Sequence, residues 1–151
     1  MMSTRLVLLA ACAVMAAAPA LAAQDEIGVA VGATAPGAVV HALDGTSVNL
    51  NQYIGKAPLV LEFWATWCSN CKELEPKFLE MVKKYSSKVQ FVDVAVSVNQ
   101  SPERVKLYAQ KYHYTHTVVY DTDGGAVSAY NVPATTAESP QRSSSLYTTE
   151  Y

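Results

Sequence analysis

Continuously apolar blocks alternate along the chain with amphipathic ones, and the two kinds predict strands and helices in turn. The apolar blocks, residues 57–65, 89–98 and 117–120, have the content of buried strands. Between them, residues 68–86 have helical spacing, and a second helix is predicted from Ser101-Pro102-Glu103, a capping hydroxyl followed by proline, to about Tyr112. This order predicts an α/β fold with right-handed crossovers and a largely parallel central sheet flanked by helices.

The first predicted helix, residues 68–86, separates apolar from charged residues. Glu73 precedes Lys77, and Glu80 precedes Lys84, in the favourable order for i,i+4 pairs on an exposed face. The opposite face is an apolar stripe made of Leu74, Phe78, Met81, Val82 and Tyr85. This stripe predicts that the helix packs on the sheet.

Two short extended segments precede the α/β alternation. Residues 39–42 and 47–50 flank Asp44-Gly45, a dipeptide typical of a β-hairpin turn. Residues 23–36 are small and rich in Gly, Ala and Pro, which indicates a linker. The folded domain is therefore predicted to span residues 37–133, with the hairpin at its N-terminus.

Composition narrows the class of protein. A chain of 151 residues fits one domain, and 50% apolar with 16% charged residues argues against a disordered chain. The formal net charge is −2 and no basic stripe is present, so a nucleic-acid partner is not expected.

The N-terminal residues have the pattern of an export signal. Arg5 is followed by a charge-free apolar run over residues 6–18, shorter than the roughly 20 apolar residues that span a membrane. Ala20-Leu21-Ala22 then fits a cleavage site, so residues 1–22 are predicted to be a signal peptide and the mature protein periplasmic or secreted. The second interpretation is a lipidated leader at Leu9-Ala10-Ala11-Cys12, and only an uncleaved or lipidated leader would attach the protein to a membrane.

The candidate chemistry lies in Trp67-Cys68-Ser69-Asn70-Cys71, where a predicted strand gives way to a helix. A cysteine at a helix N-terminus is favoured as a thiolate by unpaired N–H groups and by the helix dipole. The second cysteine lies one turn further and is placed to resolve a mixed disulfide formed at the first. The spacing therefore predicts a pair that alternates between dithiol and disulfide.

Two other interpretations of the cysteines are weaker. A zinc site needs four ligands, and His113 and His116 follow Cys71 by far more than zinc-finger spacing, so both are interpreted as loop or strand-edge residues. A purely structural disulfide in so small a ring would constrain little of the unfolded chain. Neither a metal nor a cofactor is predicted.

Residues 63–72 (FWATWCSNCK), with Pro76 beyond them, resemble the active-site segment of the thioredoxin superfamily. The exported context favours its TlpA-like branch of periplasmic thiol–disulfide oxidoreductases, which overlaps the redoxin group. Residues 31–36 (VGATAP) and the segment from Asp44-Gly45 to Gly55-Lys56 are similar to that branch's N-terminal hairpin. The resemblance covers residues 31–133 and implies a thioredoxin-like fold.

The resemblance also implies roles for individual residues. Cys68 matches the attacking cysteine and Cys71 the resolving one. Glu62 falls where thioredoxins carry a buried acid beneath the second cysteine, and its apolar strand would make it a usable acid or base near neutrality. The alternative is that Glu62 points to solvent by strand alternation. Trp67 and Pro76 are expected to give support, the first beside the thiols and the second by bending the helix.

The family's cis-proline, which faces the cysteines, has no clear equivalent. In residues 130–136 (YNVPATT), Thr136 occupies its place and Pro133 comes three residues earlier. Pro133 is therefore given no site role.

The end of the chain also departs from the family pattern. By resemblance, two antiparallel strands and a closing helix should follow Val132. Residues 134–151 instead contain few large apolar residues, which predicts a disordered tail and an open sheet edge. We expect a chain truncated or frame-shifted relative to a full-length relative; the alternative is a short variant that completes its sheet with a partner.

Three functions are compatible with these features. The first is an exported thiol–disulfide oxidoreductase that reduces protein disulfides and is recharged by a membrane or periplasmic thiol electron donor. The second is a redoxin-type thiol peroxidase with antioxidant activity, against which Ala65 counts, since related peroxidases have threonine three residues before the reactive cysteine. The third is a non-catalytic thioredoxin-like binding module.

Overall fold

The computed structural model describes residues 27–133 and, as backbone, the strand at residues 145–149. In chain order the elements are β1 (Val39–Ala42), β2 (Ser47–Asn49), a 3-10 turn (Leu50–Gln52), β3 (Leu59–Trp64), α1 (Ser69–Tyr85), β4 (Gln90–Val96), α2 (Pro102–Lys111), β5 (Thr117–Asp121), α3 (Gly125–Ala129) and β6 (Ser145–Thr149).

The strands form one mixed sheet with the order β2-β1-β5-β4-β3-β6. β3, β4 and β5 are parallel neighbours, as expected for strands joined by helical crossovers. β1 pairs antiparallel with β2 and with β5, so the N-terminal hairpin extends the sheet at one side. The predicted α/β fold with a largely parallel core and an N-terminal hairpin is confirmed.

The sheet buries one apolar layer on each face. Successive residues of β3 point to opposite faces, and Phe63 packs against Tyr130, which follows α3, with ring centroids 5.5 Å apart. On the other face, Phe78 of α1 meets Phe91 of β4 edge to face at 5.7 Å. The apolar stripe of α1 therefore covers the sheet, as its spacing predicted, except at Tyr85, which is 42% exposed.

The short helix α3 was not anticipated by the sequence, which indicated only a turn at residues 123–125. Gly124 adopts a left-handed conformation (φ 70°) that glycine tolerates, and the chain then makes a five-residue helix. The Asp121 carboxylate accepts hydrogen bonds from the N–H groups of Ala126 and Val127 at 3.1 and 2.9 Å. This buried cap comes from a strand residue rather than from the usual position before the helix, which is why local patterns missed it.

The prediction of a strandless C-terminal segment is wrong for residues 145–149. These residues form β6 and pair antiparallel with β3, from Leu59 opposite Thr149 to Phe63 opposite Ser145. An edge strand is held largely by main-chain hydrogen bonds, so the low apolar content of the segment did not exclude it. The predicted leader, Thr136 and the rest of the predicted tail lie outside the described residues. Within the part of the chain that is described, no helix is long and apolar enough to cross a membrane.

The pairing of β6 predicts slow amide exchange. We expect the β6 amides that bond to β3 to exchange slowly with solvent. Their rate should be no faster than that of the β2 amides that bond to β1 at the opposite edge, because the N–H groups of both edge strands are paired with the neighbouring strand. Hydrogen exchange read by NMR on a sample shown to be monomeric would test this. Exchange in 145–149 at the rate of an unstructured peptide would contradict the pairing.

Candidate active site

The cysteine pair lies at the junction between β3 and α1. Cys68 is the N-cap of α1, and its Sγ accepts a hydrogen bond from the N–H of Cys71 at 3.1 Å. In the reduced protein the same N–H, together with the helix dipole, would stabilise a thiolate at Cys68. The predicted position of the pair at a helix start is confirmed.

Cys68 and Cys71 form a disulfide, with their Cα atoms 5.3 Å apart. Both residues are almost fully buried, at 3% and 4% exposure, so exposure alone does not distinguish them. Their surroundings do distinguish them. Cys68 lines an apolar cavity at the surface, whereas Cys71 lines a smaller cavity under α1 whose walls include the acids Glu62 and Glu75.

The cavity beside Cys68 has a volume of about 120 Å³ and mostly apolar walls. Trp67 forms one wall, and its indole N–H donates to the carbonyl of Val98 at 2.7 Å, which fixes the ring beside the disulfide. Val132 and Pro133 form another wall. Pro133, to which the sequence assigned no site role, therefore borders this cavity, and its peptide bond is trans, as are all those of the described residues.

Gln100 ties the loop that carries Cys68 to the loop after β4. Its Oε1 accepts a hydrogen bond from the N–H of Thr66 at 2.8 Å, while its Nε2 donates to the carbonyl of Val96. The hydroxyl of Tyr120 donates to the Gln100 carbonyl at 2.8 Å. No sequence motif marks Gln100, because its partners come from three separate segments.

Glu62 is buried at 4% exposure, which excludes the alternative that it points to solvent. It lines the small cavity of about 10 Å³ together with Cys71, and such a volume holds a single water molecule at most. Burial, followed by the charges of Asp93 and Glu75, raises the pKa of Glu62 to about 8. Glu62 is thus an acid that titrates near neutrality next to the inner cysteine.

A set of buried or half-buried polar side chains surrounds Glu62 between the sheet and the two long helices. We call it the polar layer; its members are Glu62, Glu75, Asp93, Tyr108, Tyr114 and His116. The hydroxyls of Tyr108 and Tyr114 donate to the two oxygens of Glu75 at 2.9 and 2.8 Å. Burial and these bonds raise the pKa of both tyrosines, so they remain neutral donors.

His116 belongs to this layer rather than to an exposed strand edge. Its side chain is 3% exposed, and its Nε2 lies 2.7 Å from Oδ2 of Asp93. His113, by contrast, is exposed in the loop before it. The histidines and acids of the described residues form no group of three or more that could hold a metal.

The fold and the cysteine pair at a helix start together define a thioredoxin-like redox domain. Residues 31–150 match the model of the AhpC/TSA family, and the chain belongs to that family. It is similar to the thiol-disulfide oxidoreductase ResA of Geobacillus kaustophilus (strain HTA426), with 36% identity over 109 residues, 72% of this chain and 61% of the relative. It is also similar to the thioredoxin-like protein YneN of Bacillus subtilis (strain 168), with 32% identity over 67% of this chain and 59% of that one.

A solved structure of a disulfide oxidoreductase has a similar fold. The chain superposes on a secreted disulfide oxidoreductase of Mycobacterium tuberculosis, described as homologous to E. coli DsbE, with a TM-score of 0.57 and 27% identity over 64% of this chain and 69% of that chain. Among the sequence relatives, the chain spans about three-fifths of the length of the two proteins named above.

The raised pKa of Glu62 predicts a stability that falls with pH. The unfolded chain loses this proton near the ordinary pKa of 4.5, whereas the folded chain keeps it up to about 8, so unfolding becomes easier between these values. Glu62→Gln, which cannot titrate, should therefore gain on wild type as pH rises, by up to about 4 kcal/mol in free energy of unfolding at the alkaline end.

Urea unfolding of the two proteins over this pH range, with the disulfide intact, would measure the gain. Glu73→Gln, on the exposed face of the same helix that carries Glu75, is the matched control and should run parallel to wild type. Parallel curves for Glu62→Gln and wild type would contradict the raised pKa.

Proposed function

We propose that the protein is an exported thiol–disulfide oxidoreductase that reduces protein disulfides through Cys68 and Cys71. The observation that carries this proposal is the disulfide between the N-cap of α1 and its first turn, with an apolar cavity on the side of Cys68 and a titratable acid on the side of Cys71. The names of the relatives, thiol-disulfide oxidoreductase and disulfide oxidoreductase, support the same chemistry.

The reaction begins with the reduced protein. The Cys68 thiolate attacks one sulfur of a substrate disulfide, which forms a mixed disulfide and releases the other substrate sulfur as a thiolate. Cys71 then loses its proton and attacks the Sγ of Cys68, which releases the second substrate sulfur and leaves the Cys68–Cys71 disulfide. The substrate gains two electrons, and protons from solvent and from the protein neutralise its thiolates. A thiol electron donor returns the protein to the dithiol state.

Glu62 accepts the proton of Cys71 in this scheme. Both side chains line the small cavity under α1, so the transfer runs directly or through one water. A pKa of about 8 makes the Glu62 carboxylate a stronger base than an exposed glutamate, while leaving an ionised fraction near neutrality. Glu62 is therefore proposed as the catalytic base of the resolving step.

The substrate is a protein segment that presents a disulfide beside apolar side chains. The cavity next to Cys68 is walled by Trp67, Val98 and Pro133 and offers few polar partners. Val98 is 48% exposed at its rim. Such a surface favours partially unfolded segments over charged small molecules. The mycobacterial protein of similar fold is secreted, and this, together with the predicted leader, supports a site of action outside the cytoplasm.

Serine variants of the two cysteines should differ in whether they accumulate mixed disulfides. In a Cys12→Ser background, which removes the third thiol, Cys71→Ser should accumulate mixed disulfides with substrate because Cys68 attacks and nothing resolves it. Cys68→Ser should accumulate none, and a limiting alkylating reagent on the reduced protein should modify Cys68 first. Non-reducing electrophoresis and peptide mapping measure both effects. Faster modification of Cys71 would reverse the assignment.

Disulfide reduction should outweigh peroxide reduction. Ala65 lacks the hydroxyl that would position a hydroperoxide near Cys68, whereas a vicinal thiol pair is suited to exchange. The same reductant would drive insulin reduction in one assay and hydrogen peroxide consumption in the other. Rapid peroxide turnover with negligible insulin reduction would instead identify a thiol peroxidase.

A further inference from the structure

The polar layer contains an acid that the scheme above does not use. Asp93 of β4 lies directly opposite Glu62 of β3 in the parallel register. Register partners on neighbouring strands project from the same face of the sheet, and the strands lie about 4.8 Å apart. Asp93 is 1% exposed, so little solvent screens its charge from Glu62.

Asp93 is held by one partner among the described residues. Its Oδ2 lies 2.7 Å from Nε2 of His116. The imidazole is fixed in turn by ring contacts, 5.4 Å from the centroid of Phe78 and 4.9 Å from that of Tyr114. Oδ1 of Asp93 and Nδ1 of His116 have no hydrogen-bond partner within the described part of the chain, so the pair depends on this one contact.

A buried acid–histidine pair is expected to add little to the free energy of unfolding. The desolvation of both groups offsets most of their attraction, and apolar residues of similar volume often stabilise a core as well or better. The two unpartnered atoms add to that cost. What the pair does provide is a carboxyl group held in place beside Glu62, which lines a small cavity together with Cys71 and Glu75.

We propose that Asp93, held in place by His116, is a positioning residue that acts through Glu62. Its negative charge makes Glu62 hold its proton more tightly, and this sets the pH range over which Glu62 can deprotonate Cys71 and the mixed disulfide is resolved. The inference rests on the function proposed above. Asp93 itself touches neither the sulfurs nor the substrate.

The other charged or titratable groups near the pair come from every element that packs against it. Glu75 of α1 accepts hydrogen bonds from the hydroxyls of Tyr108 and Tyr114. On the far side of His116, an open cavity of about 450 Å³ also contains Tyr53 and Lys88. The groups that face the pair are Glu62 from β3, Glu75 from α1, Tyr108 from α2, Tyr114 from the segment before β5, and Tyr53 and Lys88 across this cavity.

Asp93→Asn and His116→Phe should both lower the pH at which Glu62 titrates. Asp93→Asn removes the charge at nearly constant shape, so the Glu62 titration midpoint should fall by about 1 pH unit. His116→Phe keeps a ring for Phe78 and Tyr114 to pack on but leaves Asp93 unpartnered. Burial already raises the pKa of Asp93, and His116 opposes that effect. Without His116, Asp93 should therefore take up a proton, lose its charge and lower the Glu62 midpoint as well.

Two readouts on the full chain separate this inference from the proposed function. Carboxyl-carbon NMR of the oxidised protein with isotopically labelled glutamate follows the Glu62 midpoint, assigned by its absence in Glu62→Gln. Stopped-flow reaction of the reduced protein with dithiobis(nitrobenzoate) follows resolution, because the first thiolate released reports attack by Cys68 and the second reports resolution by Cys71. Asp121→Asn is the matched control, since Asp121 is also 1% exposed but lies outside the polar layer.

We expect Asp93→Asn and His116→Phe to move both the Glu62 midpoint and the pH profile of the second release toward acid. The double variant should move them no further than either single variant, and Asp121→Asn should leave both in place. An unchanged Glu62 midpoint in both single variants would overturn the inference, whatever the activity. A shifted midpoint with an unshifted profile of the second release would support the coupling and reject Glu62 as the base of the proposed reaction.

Discussion

The register between β3 and β4 is the constraint on which the site depends. Six consecutive pairs, from Leu59 opposite Gln90 to Trp64 opposite Ala95, fix which face each residue occupies. A slip by one residue would turn every side chain of β3 to the opposite face and place Glu62 in the apolar layer with Tyr130. In the observed register, the pairs Leu61–Val92 and Phe63–Val94 lie on one face, and Glu62 and Asp93 meet on the other, between Val60–Phe91 and Trp64–Ala95.

The same pairing places the reactive cysteine. Parallel strands end at a common edge of the sheet, so the loops after β3 and β4 emerge side by side. The first loop carries Cys68 and the second carries Gln100, which bonds back to Thr66. Because the two loops are adjacent, the indole N–H of Trp67 in the first can also donate to the carbonyl of Val98 in the second. The helix start that favours a thiolate is thus held by main-chain and side-chain hydrogen bonds to the loop after β4, and not by α1 alone.

Burial of acids beneath α1 opposes stability and provides chemistry. An ionised carboxylate in a poorly solvated layer is unfavourable unless it is paired, and the layer contains three carboxyl groups. Two of them have close hydrogen-bond partners, Glu75 with Tyr108 and Tyr114, and Asp93 with His116. Glu62 instead experiences burial and the like charges of these two acids, and its pKa rises in consequence. The acid that is thereby driven to hold a proton near neutrality shares a cavity with Cys71, which is where a proton acceptor is needed.

Features that depend only on neighbours along the chain could be predicted from the sequence. Apolar blocks and helical spacing predicted β3, α1, β4, α2 and β5 to within a few residues, and Asp44-Gly45 predicted the hairpin, because periodicity and turn chemistry are local. The same holds for Cys68 and Cys71, whose strand–helix context is contiguous. Glu62 was found from an apolar run and a resemblance, but the run alone could not decide which face it occupies.

Contacts between segments that are distant along the chain could be seen only in the folded structure. His116 looked like a loop residue because its partner, Asp93, is 23 positions away. In the sequence, Glu75 is not distinguished from the other acids of its helix. Its hydrogen bonds with Tyr108 and Tyr114 form only in the folded structure. β6 was missed because an edge strand is selected by the unpaired main-chain groups of its neighbour and needs little apolar side-chain surface of its own. Local sequence specifies elements and their faces, whereas the charge and hydrogen bonding of a buried group depend on which other segments the fold brings beside it.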